Sequence, residues 1–299
     1  MAKKHKTFKP KARVPRGFRD MAGPELVLQQ RIIATISHVY QNYGFDALDT
    51  SAFEYADALG KFLPDADRPN EGVFALEDDD KQWLSLRYDL TAPLARYVAE
   101  NYDGLPKPFR RFQWGPVWRN EKPGPGRYRQ FLQIDADTVG AGNMGADAEI
   151  CMMAADCMAA LGISTGDYLV RINNRKIMDG LLQRIGLTNE QADYETRRLT
   201  ILRAMDKYDR LGLAGVRDLL GAGRRDESGD FTAGAGLDDA QIDAVAGLVS
   251  AQGASRPEML DALEGHIGDT ASGADGIAEL RVMDALFTRL GYNVERLCI

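Results

Sequence analysis

The chain has 299 residues, 44% hydrophobic and 27% charged, with a formal net charge of −7. That length buries a substantial core and fits about two domains. No apolar run approaches the roughly 18 residues that a membrane-spanning helix needs. The basic start M-A-K-K-H-K-T-F-K-P-K-A-R lacks the apolar segment of a secretory signal.

Three cysteines, Cys151, Cys157 and Cys298, form neither a metal-ligand spacing nor an even disulfide set, and Cys151 and Cys157 read as core residues of a helix. The histidines are scattered at His5, His38 and His266, so neither a zinc site nor a Ser-His-Asp triad can be assembled. A reducing, cytoplasmic setting is expected. Charge is unevenly spread: residues 1–19 carry five Lys and three Arg and no acid, a local +8 that leaves about −15 on the remainder. This stretch reads either as a solvated tail or as a basic arm that touches a polyanion such as RNA.

In chain order, Pro24 opens a helix at a position where its missing N–H costs nothing. Ile32, Ile33, Ile36, Val39, Tyr40 and Tyr43 continue it as a 3.6-period stripe, His38 sits within it, and Gly44 stops it. A strand is predicted around Phe45 to Leu48. From Ala56 to Asp80 the chain is polar and irregular, with Pro64, Pro69 and Gly72. Gly72 to Leu76 and Trp83 to Arg87 are predicted as two strands around an acidic tip, Glu77 to Asp80. Asp89 and Thr91 then stand where a strand hands over to a helix containing Pro93, Leu94, Tyr97 and Val98. Helix capping is the simpler reading of both; binding a ligand amine is the alternative.

The run from Phe109 to Asp137 is an apolar strand, a Gly/Pro/Arg loop and a second strand. It carries Arg110, Arg111, Arg119, Arg127 and Arg129 among Glu121, Asp135 and Asp137. Arginine grips phosphate oxygens with a planar fork, and glycine lets the backbone approach closely, so a phosphate-handling surface is expected. On strand periodicity Arg127, Arg129 and Phe131 share one face, as do Gln133, Asp135 and Asp137. Phe112, Trp114, Trp118 and Phe131 are expected to pack around this polar set.

Further on, a helix is predicted from Asp147 to Leu161, a strand from Tyr168 to Asn173 and a helix from Arg175 to Ile185. Residues 188–275 read as a separate small helical domain with Gly-rich interruptions. Within it, Gly221-Ala222-Gly223-Arg224-Arg225 lacks G-K-[ST] and reads as a surface loop rather than a phosphate loop. Ile277, Leu280, Met283, Leu286, Phe287 and Leu290 form one more helical stripe, ended by Gly291. Asn293 to Ile299 alternates like a strand, within which the sequence stops.

Three segments together resemble the class II aminoacyl-tRNA synthetases in their histidine-specific form. Trp118-Arg119-Asn120-Glu121-Lys122-Pro123 and Gly126-Arg127-Tyr128-Arg129-Gln130-Phe131-Leu132-Gln133, with Asp137 as the following acid, match motif 2 of that family. Leu86-Arg87-Tyr88-Asp89-Leu90-Thr91 is similar to its amino-acid-binding segment, and Val14 to Asp20 to its opening segment. The resemblance implies an α+β fold: a class II synthetase-like antiparallel sheet flanked by helices, with an inserted small α-helical domain. It implies a basic flexible tail at 1–13, a catalytic core over 14–187 with motifs 1 and 2, an insertion at 188–275 that contacts tRNA, and a return to the core at 276–299, short of motif 3.

The implied roles are specific. Arg119 is the catalytic arginine that holds the ATP α-phosphate and the histidine carboxylate. Glu121 and Arg127 complete an ATP site. Asp89, Leu90, Thr91, Arg119, Gln133 and Asp137 form the histidine pocket. ATP is a substrate, Mg²⁺ neutralises its phosphates, and no protein metal centre is implied. L-histidine, tRNA(His) and a second copy of the chain, as a homodimer, are the implied partners, with no membrane. Ser51 stands where motif 1 usually has proline. Motif 3 and the R-G-L-D-Y-Y segment are not among these residues, so a truncated piece with little activity of its own is expected. The alternative is a synthetase-like regulatory subunit of ATP phosphoribosyltransferase, although such paralogues tend to lose the motif 2 residues kept here.

Overall fold

A computed structural model of the chain describes residues 11–62, 72–225 and 229–299. Most of the expected tail, with His5, and the irregular stretch around Pro64 and Pro69 lie outside the described residues. The chain divides into two compact units, Met1–Ala141 and Gly142–Ile299. The division does not coincide with the boundaries expected near 187 and 275.

In the first unit, α1 (Pro24–Asn42) begins with Pro24 in its first turn. Gly44 follows its end at φ +79°, a left-handed conformation that suits glycine. Strand β1 (Asp46–Ala47) follows, then β2 (Phe53–Tyr55), a 3-10 turn (Ala56–Phe62), β3 (Ala75–Glu77) and β4 (Trp83–Leu86). The acidic tip is a turn in which Asp78 Oδ1 accepts from the backbone N–H groups of Asp80 and Gln82 at 3.0 and 2.7 Å. Strands β2, β4 and β3 pair antiparallel in that order.

Helix α2 (Thr91–Asn101) starts where Asp89 Oδ1 accepts from the N–H groups of Thr91 and Ala92 at 3.1 and 2.9 Å. The capping reading of Asp89 therefore holds, and its carboxylate fills two otherwise orphan donors. The long hairpin is β5 (Phe109–Trp118) and β6 (Gln130–Val139), in antiparallel register through ten residue pairs. β1 joins β5 in parallel, so this three-stranded sheet is mixed.

The second unit is mainly helical. It contains α3 (Met144–Ala160), β7 (Val170–Arg171), α4 (Arg175–Arg184), α5 (Tyr194–Met205), α6 (Tyr208–Leu220), β8 (Gly223–Arg225) and β9 (Phe231–Ala233). The chain continues through α7 (Asp239–Val249), α8 (Arg256–Ile267), α9 (Ala271–Arg289) and β10 (Leu297–Cys298). Asn143, Asn174, Asp238, Ser255 and Thr270 cap helices by accepting backbone N–H bonds, and Asp238 with Gln241 makes a reciprocal capping box. The core joins Ala148, Leu181, Ile201, Leu220, Val245, Leu260, Leu280 and Phe287, so residues from both sides of position 188 share one apolar cluster. Burial pushes the thiols of Cys151 and Cys157 up to about 11, in keeping with packing rather than reactivity.

Two expectations fail here. Gly223-Arg224-Arg225 is not a loop but one strand of a β8–β9 hairpin. Gly223 has φ +108°, and a Cβ on it would lie 2.3 Å from the Thr232 carbonyl oxygen, so glycine makes the pairing possible. The alternation from Asn293 becomes a strand only at Leu297–Cys298. Before it, the N–H groups of Arg296 and Leu297 both bond the Asn293 carbonyl in a turn.

Candidate functional site

The β5–β6 register decides which side chains meet. Arg111 faces Asp137, Gln113 faces Asp135, Gly115 faces Gln133 and Val117 faces Phe131. Directly paired residues project to one side of a sheet, so Phe131, Gln133, Asp135 and Asp137 share a face, as expected. Phe112, Trp114 and Trp118 belong to the opposite side. Phe112 is buried there, but Trp114 is 48% exposed. The aromatics therefore do not surround the polar set; only Phe131 shares its face.

The loop departs from the expected strand. β6 begins at Gln130, so Arg127 and Arg129 are loop residues that do not continue its face. Arg127 bonds Glu121 through a close ion pair. Arg129 turns inward: its Nε donates to the Glu121 carbonyl at 3.0 Å, and its N–H donates to the Gly17 carbonyl at 2.7 Å. Gly17 has φ +85°, and a Cβ there would press on the Arg129 side chain at 2.8 Å. The opening segment thus straps the loop from below.

Arg119 is the centre of the mouth. Its guanidinium carbon lies 4.4 Å from the Tyr88 ring centroid and 5.0 Å from that of Phe131. Its Nε donates to the Tyr88 carbonyl at 3.4 Å. Two aromatic faces fix a cation in place with little loss of its remaining donors. Tyr88 in turn donates its hydroxyl to Glu121 at 3.2 Å. The hydrogen bond from Arg127 is the main reason the Glu121 carboxyl is held below its ordinary range. Arg119, Glu121, Gly126, Arg127, Tyr128 and Phe131 line an open cleft of about 420 Å³.

The structure brings Arg119, Glu121 and Arg127 together at this cleft, and Gln133 and Asp137 together along one strand. Gln133 Nε2 donates to both oxygens of Asp135 at 2.9 and 2.8 Å. Asp137 is in an ion pair with Arg111 at 3.0 Å. The Leu90 side chain is wholly buried, and what it offers is its carbonyl, which accepts from Arg111 Nη2 at 3.1 Å. Asp89 is committed to the start of α2, and Thr91 is exposed in its first turn.

Sequence reasoning missed two buried arginines. Arg111 is 0% exposed. Arg87 is 4% exposed, and it bonds the carbonyls of Pro116 and Thr50, each at 2.9 Å. Gln113, also buried, donates to Thr50 Oγ1 at 3.0 Å. The missing signal was register: aligning Trp118 with Gln130 across the loop places Arg111 opposite Asp137.

No group of three or more His, Cys, Asp or Glu side chains suited to a metal ion occurs among the described residues. Glu121, beside the arginines, is engaged by Arg127 and Tyr88. These residues by themselves do not build a Mg²⁺ site.

The sequence profile of the histidyl-tRNA synthetase family matches residues 17–298. The chain belongs to that family. It is 56% identical over 294 residues to a histidine–tRNA ligase of Bartonella bacilliformis, covering 98% of this chain and 58% of that protein. It is also 56% identical over 288 residues to a histidine–tRNA ligase of Brucella ovis, covering 96% of this chain and 57% of that one. The chain thus spans somewhat over half the length of these relatives. Among solved structures it resembles a histidyl-tRNA synthetase from a Nostoc species, with a TM-score of 0.78 and 26% identity over 97% of this chain and 61% of that one. A Bacillus halodurans protein described as an ATP phosphoribosyltransferase regulatory subunit/histidyl-tRNA synthetase shares the fold, at TM-score 0.74 and 21% identity over 97% of this chain and 68% of that one. The α+β architecture is therefore that of a class II synthetase. No helix among the described residues is long and apolar enough to cross a membrane.

Proposed function

We propose that this chain carries the ATP- and histidine-binding part of a histidine–tRNA ligase. The observation that carries the reading is Arg119, held between the Tyr88 and Phe131 rings at the mouth of the β5–β6 hairpin. From there its outward donors meet two anions at once, the α-phosphate of ATP and the carboxylate of L-histidine. Arg127 takes phosphate charge once ATP competes for its pair with Glu121, and Glu121 turns to the adenine side. Gln133 and Asp137 supply acceptors to the amino acid farther along the strand, with the head of α2 at Asp89, Leu90 and Thr91 beside them.

In the reaction, a histidine carboxylate oxygen bonds to the α-phosphorus, the bond to the β-phosphate oxygen breaks, and pyrophosphate departs with its electron pair. A terminal ribose hydroxyl of tRNA(His) then attacks the acyl carbon of the histidyl-adenylate; the ester forms, the acyl–phosphate bond breaks, AMP departs and the hydroxyl gives up its proton. Such catalysis is positioning and charge stabilisation. ATP brings its own Mg²⁺; no step is assigned to a protein-bound metal. Residues 188–275 form the tRNA-contacting insertion in this reading, and the setting is cytoplasmic. The exposed Leu26, Val27 and Leu28 of α1 support a homodimer face.

Calorimetric titration tests the reading. The 299-residue chain should bind ATP, and Arg119→Gln should weaken that binding about 10- to 100-fold, the worth of a charged hydrogen bond. Wild-type affinity in Arg119→Gln would remove the central assignment. Histidine-dependent ATP–pyrophosphate exchange by this chain alone should be slight, because motif 3 and the second arginine segment are not among its residues. The regulatory alternative predicts instead capture of an ATP phosphoribosyltransferase. Retention of Arg119, Glu121, Arg127, Gln133 and Asp137 favours the ligase.

A further inference from the structure

Arg111 is an odd residue to find in the middle of a sheet. Its side chain is 0% exposed, and its Nη2 serves both the Leu90 carbonyl at 3.1 Å and Asp137 Oδ2 at 3.0 Å. Nη2 hydrogen-bonds the Leu90 carbonyl, while its contact with Asp137 Oδ2 is an ion pair without hydrogen-bond geometry. Nε and Nη1 of Arg111 are buried without a hydrogen-bond partner, and so are Gln133 Oε1 and, its ion pair apart, Asp137 Oδ2. A buried charge costs several kcal/mol unless its partners are nearly complete. Buried acceptors short of hydrogen-bond donors on one sheet face, beside a wholly buried cation and on an Asp137 side chain that stays 29% exposed, fit a ligand with N–H donors. Resting on the histidine–tRNA ligase reading above, we propose that Arg111 is a positioning residue: from within the sheet it holds Asp137 as the fixed acceptor for the N–H groups of the amino-acid substrate, and does not itself touch that substrate.

The surrounding charges show why the carboxylate needs such a partner. Burial, first, and the neighbouring Asp135 both push the Asp137 carboxyl up, while Arg111 opposes them. Burial lowers Arg111 in turn, against the pull of Asp137 and Asp135. Gln133 Nε2 already covers Asp135, and Asp89 is spent on the α2 N-terminus. Among these groups only Arg111 offsets the burial of Asp137. Removing it shifts the balance further toward the protonated carboxyl, which is a donor where an acceptor is required.

The test is made in the 299-residue chain with Arg111→Met and Arg111→Lys, with two readouts. Carbon-13 NMR follows the Asp137 carboxyl through a pH titration, and calorimetry measures L-histidine and ATP binding separately. In Arg111→Met the Asp137 midpoint should rise by about one pH unit or more. Histidine affinity at neutral pH should fall about tenfold while ATP affinity stays unchanged. In Arg111→Lys a single ammonium cannot hold both Leu90 and Asp137 in a fixed fork, so a smaller rise and a smaller loss are expected. An Asp137 midpoint equal to wild type in a folded Arg111→Met overturns the proposal, and so does unchanged histidine affinity. If Arg111→Met does not fold, Arg111→Lys decides: wild-type values for both readouts overturn it. Failure of the unsubstituted chain to bind histidine would sink the functional reading instead, and the NMR titration would still decide whether Arg111 governs Asp137.

Discussion

Gly115 stands opposite Gln133 and directly against the guanidinium of Arg87. A Cβ at Gly115 would lie 2.3 Å from Arg87 Nη2 and 3.3 Å from its Cζ. Arg87 has no freedom to retreat, because its Nε and Nη1 hold the carbonyls of Pro116 and Thr50. The glycine is thus the space that lets one buried arginine tie β5 to the segment after β1. Gly115→Ala should cost about 1–3 kcal/mol through overpacking. Arg87→Met, which orphans two buried carbonyls, should cost about 2–5 kcal/mol. Because the two changes act on the same contact, adding Gly115→Ala to Arg87→Met should cost clearly less than it does alone. Urea melts of the four proteins measure this, and strict additivity would show that the contact is not where the energy lies. Nothing in the sequence marks Gly115 apart from the other glycines; its meaning comes only from the residue that folds across it.

Between elements, the same logic governs the crossing of α4 and α9. A Cβ at Gly180 would sit 2.6 Å from Gly273 Cα and 2.7 Å from its backbone nitrogen, and one at Gly276 would press on Lys176 and Ile177. Two helix backbones approach here with no side chain between them. Near the crossing, Lys176 and Asn174 both bond Glu279 across the pair, at 2.7 and 2.6 Å. Backbone cannot give way as a flexible side chain does, so Gly180→Ala should destabilise by about 1–3 kcal/mol despite alanine's better helix propensity. A thermal melt that shows stabilisation would mean the helices slide apart freely. The helices themselves were readable from apolar runs and periodicity, while the starts that Asn174 and Thr270 cap came from the structure. Their glycine crossing was not, because it depends on two segments about ninety residues apart. The β8–β9 hairpin was unreadable for a related reason: three-residue strands built around glycine carry no alternation. The hairpin β5–β6 was legible as strand, loop and strand, and Arg119, Glu121 and Arg127 line one cleft at its loop, although Arg127 lies outside the strand expected to carry it. The Arg111–Asp137 pair was not seen, because Arg111 enters the site only through the register.

For the molecule as a whole, charge separates the start of the chain from everything after it. Residues 1–13 hold five Lys and one Arg and no acid, so removing them takes the formal net charge from −7 to −13. A body so acidic repels a polyanion at long range, and the attraction must come from local groups. Each Lys or Arg that neutralises a phosphate adds roughly 0.7–0.9 to the slope of log affinity against log salt. If the arm engages tRNA in the proposed ligase, deleting residues 1–13 should reduce that slope by up to about 5 in magnitude. It should also weaken tRNA binding far more at low salt than at high salt. ATP binding should be unaffected, because Arg119, Glu121 and Arg127 make their contacts with Tyr88, Phe131 and one another. Filter binding across a salt series, with and without the arm, reads both quantities. Equal slopes for the two proteins would reduce the first thirteen residues to a solvated tail and leave tRNA recognition to surfaces within the folded units.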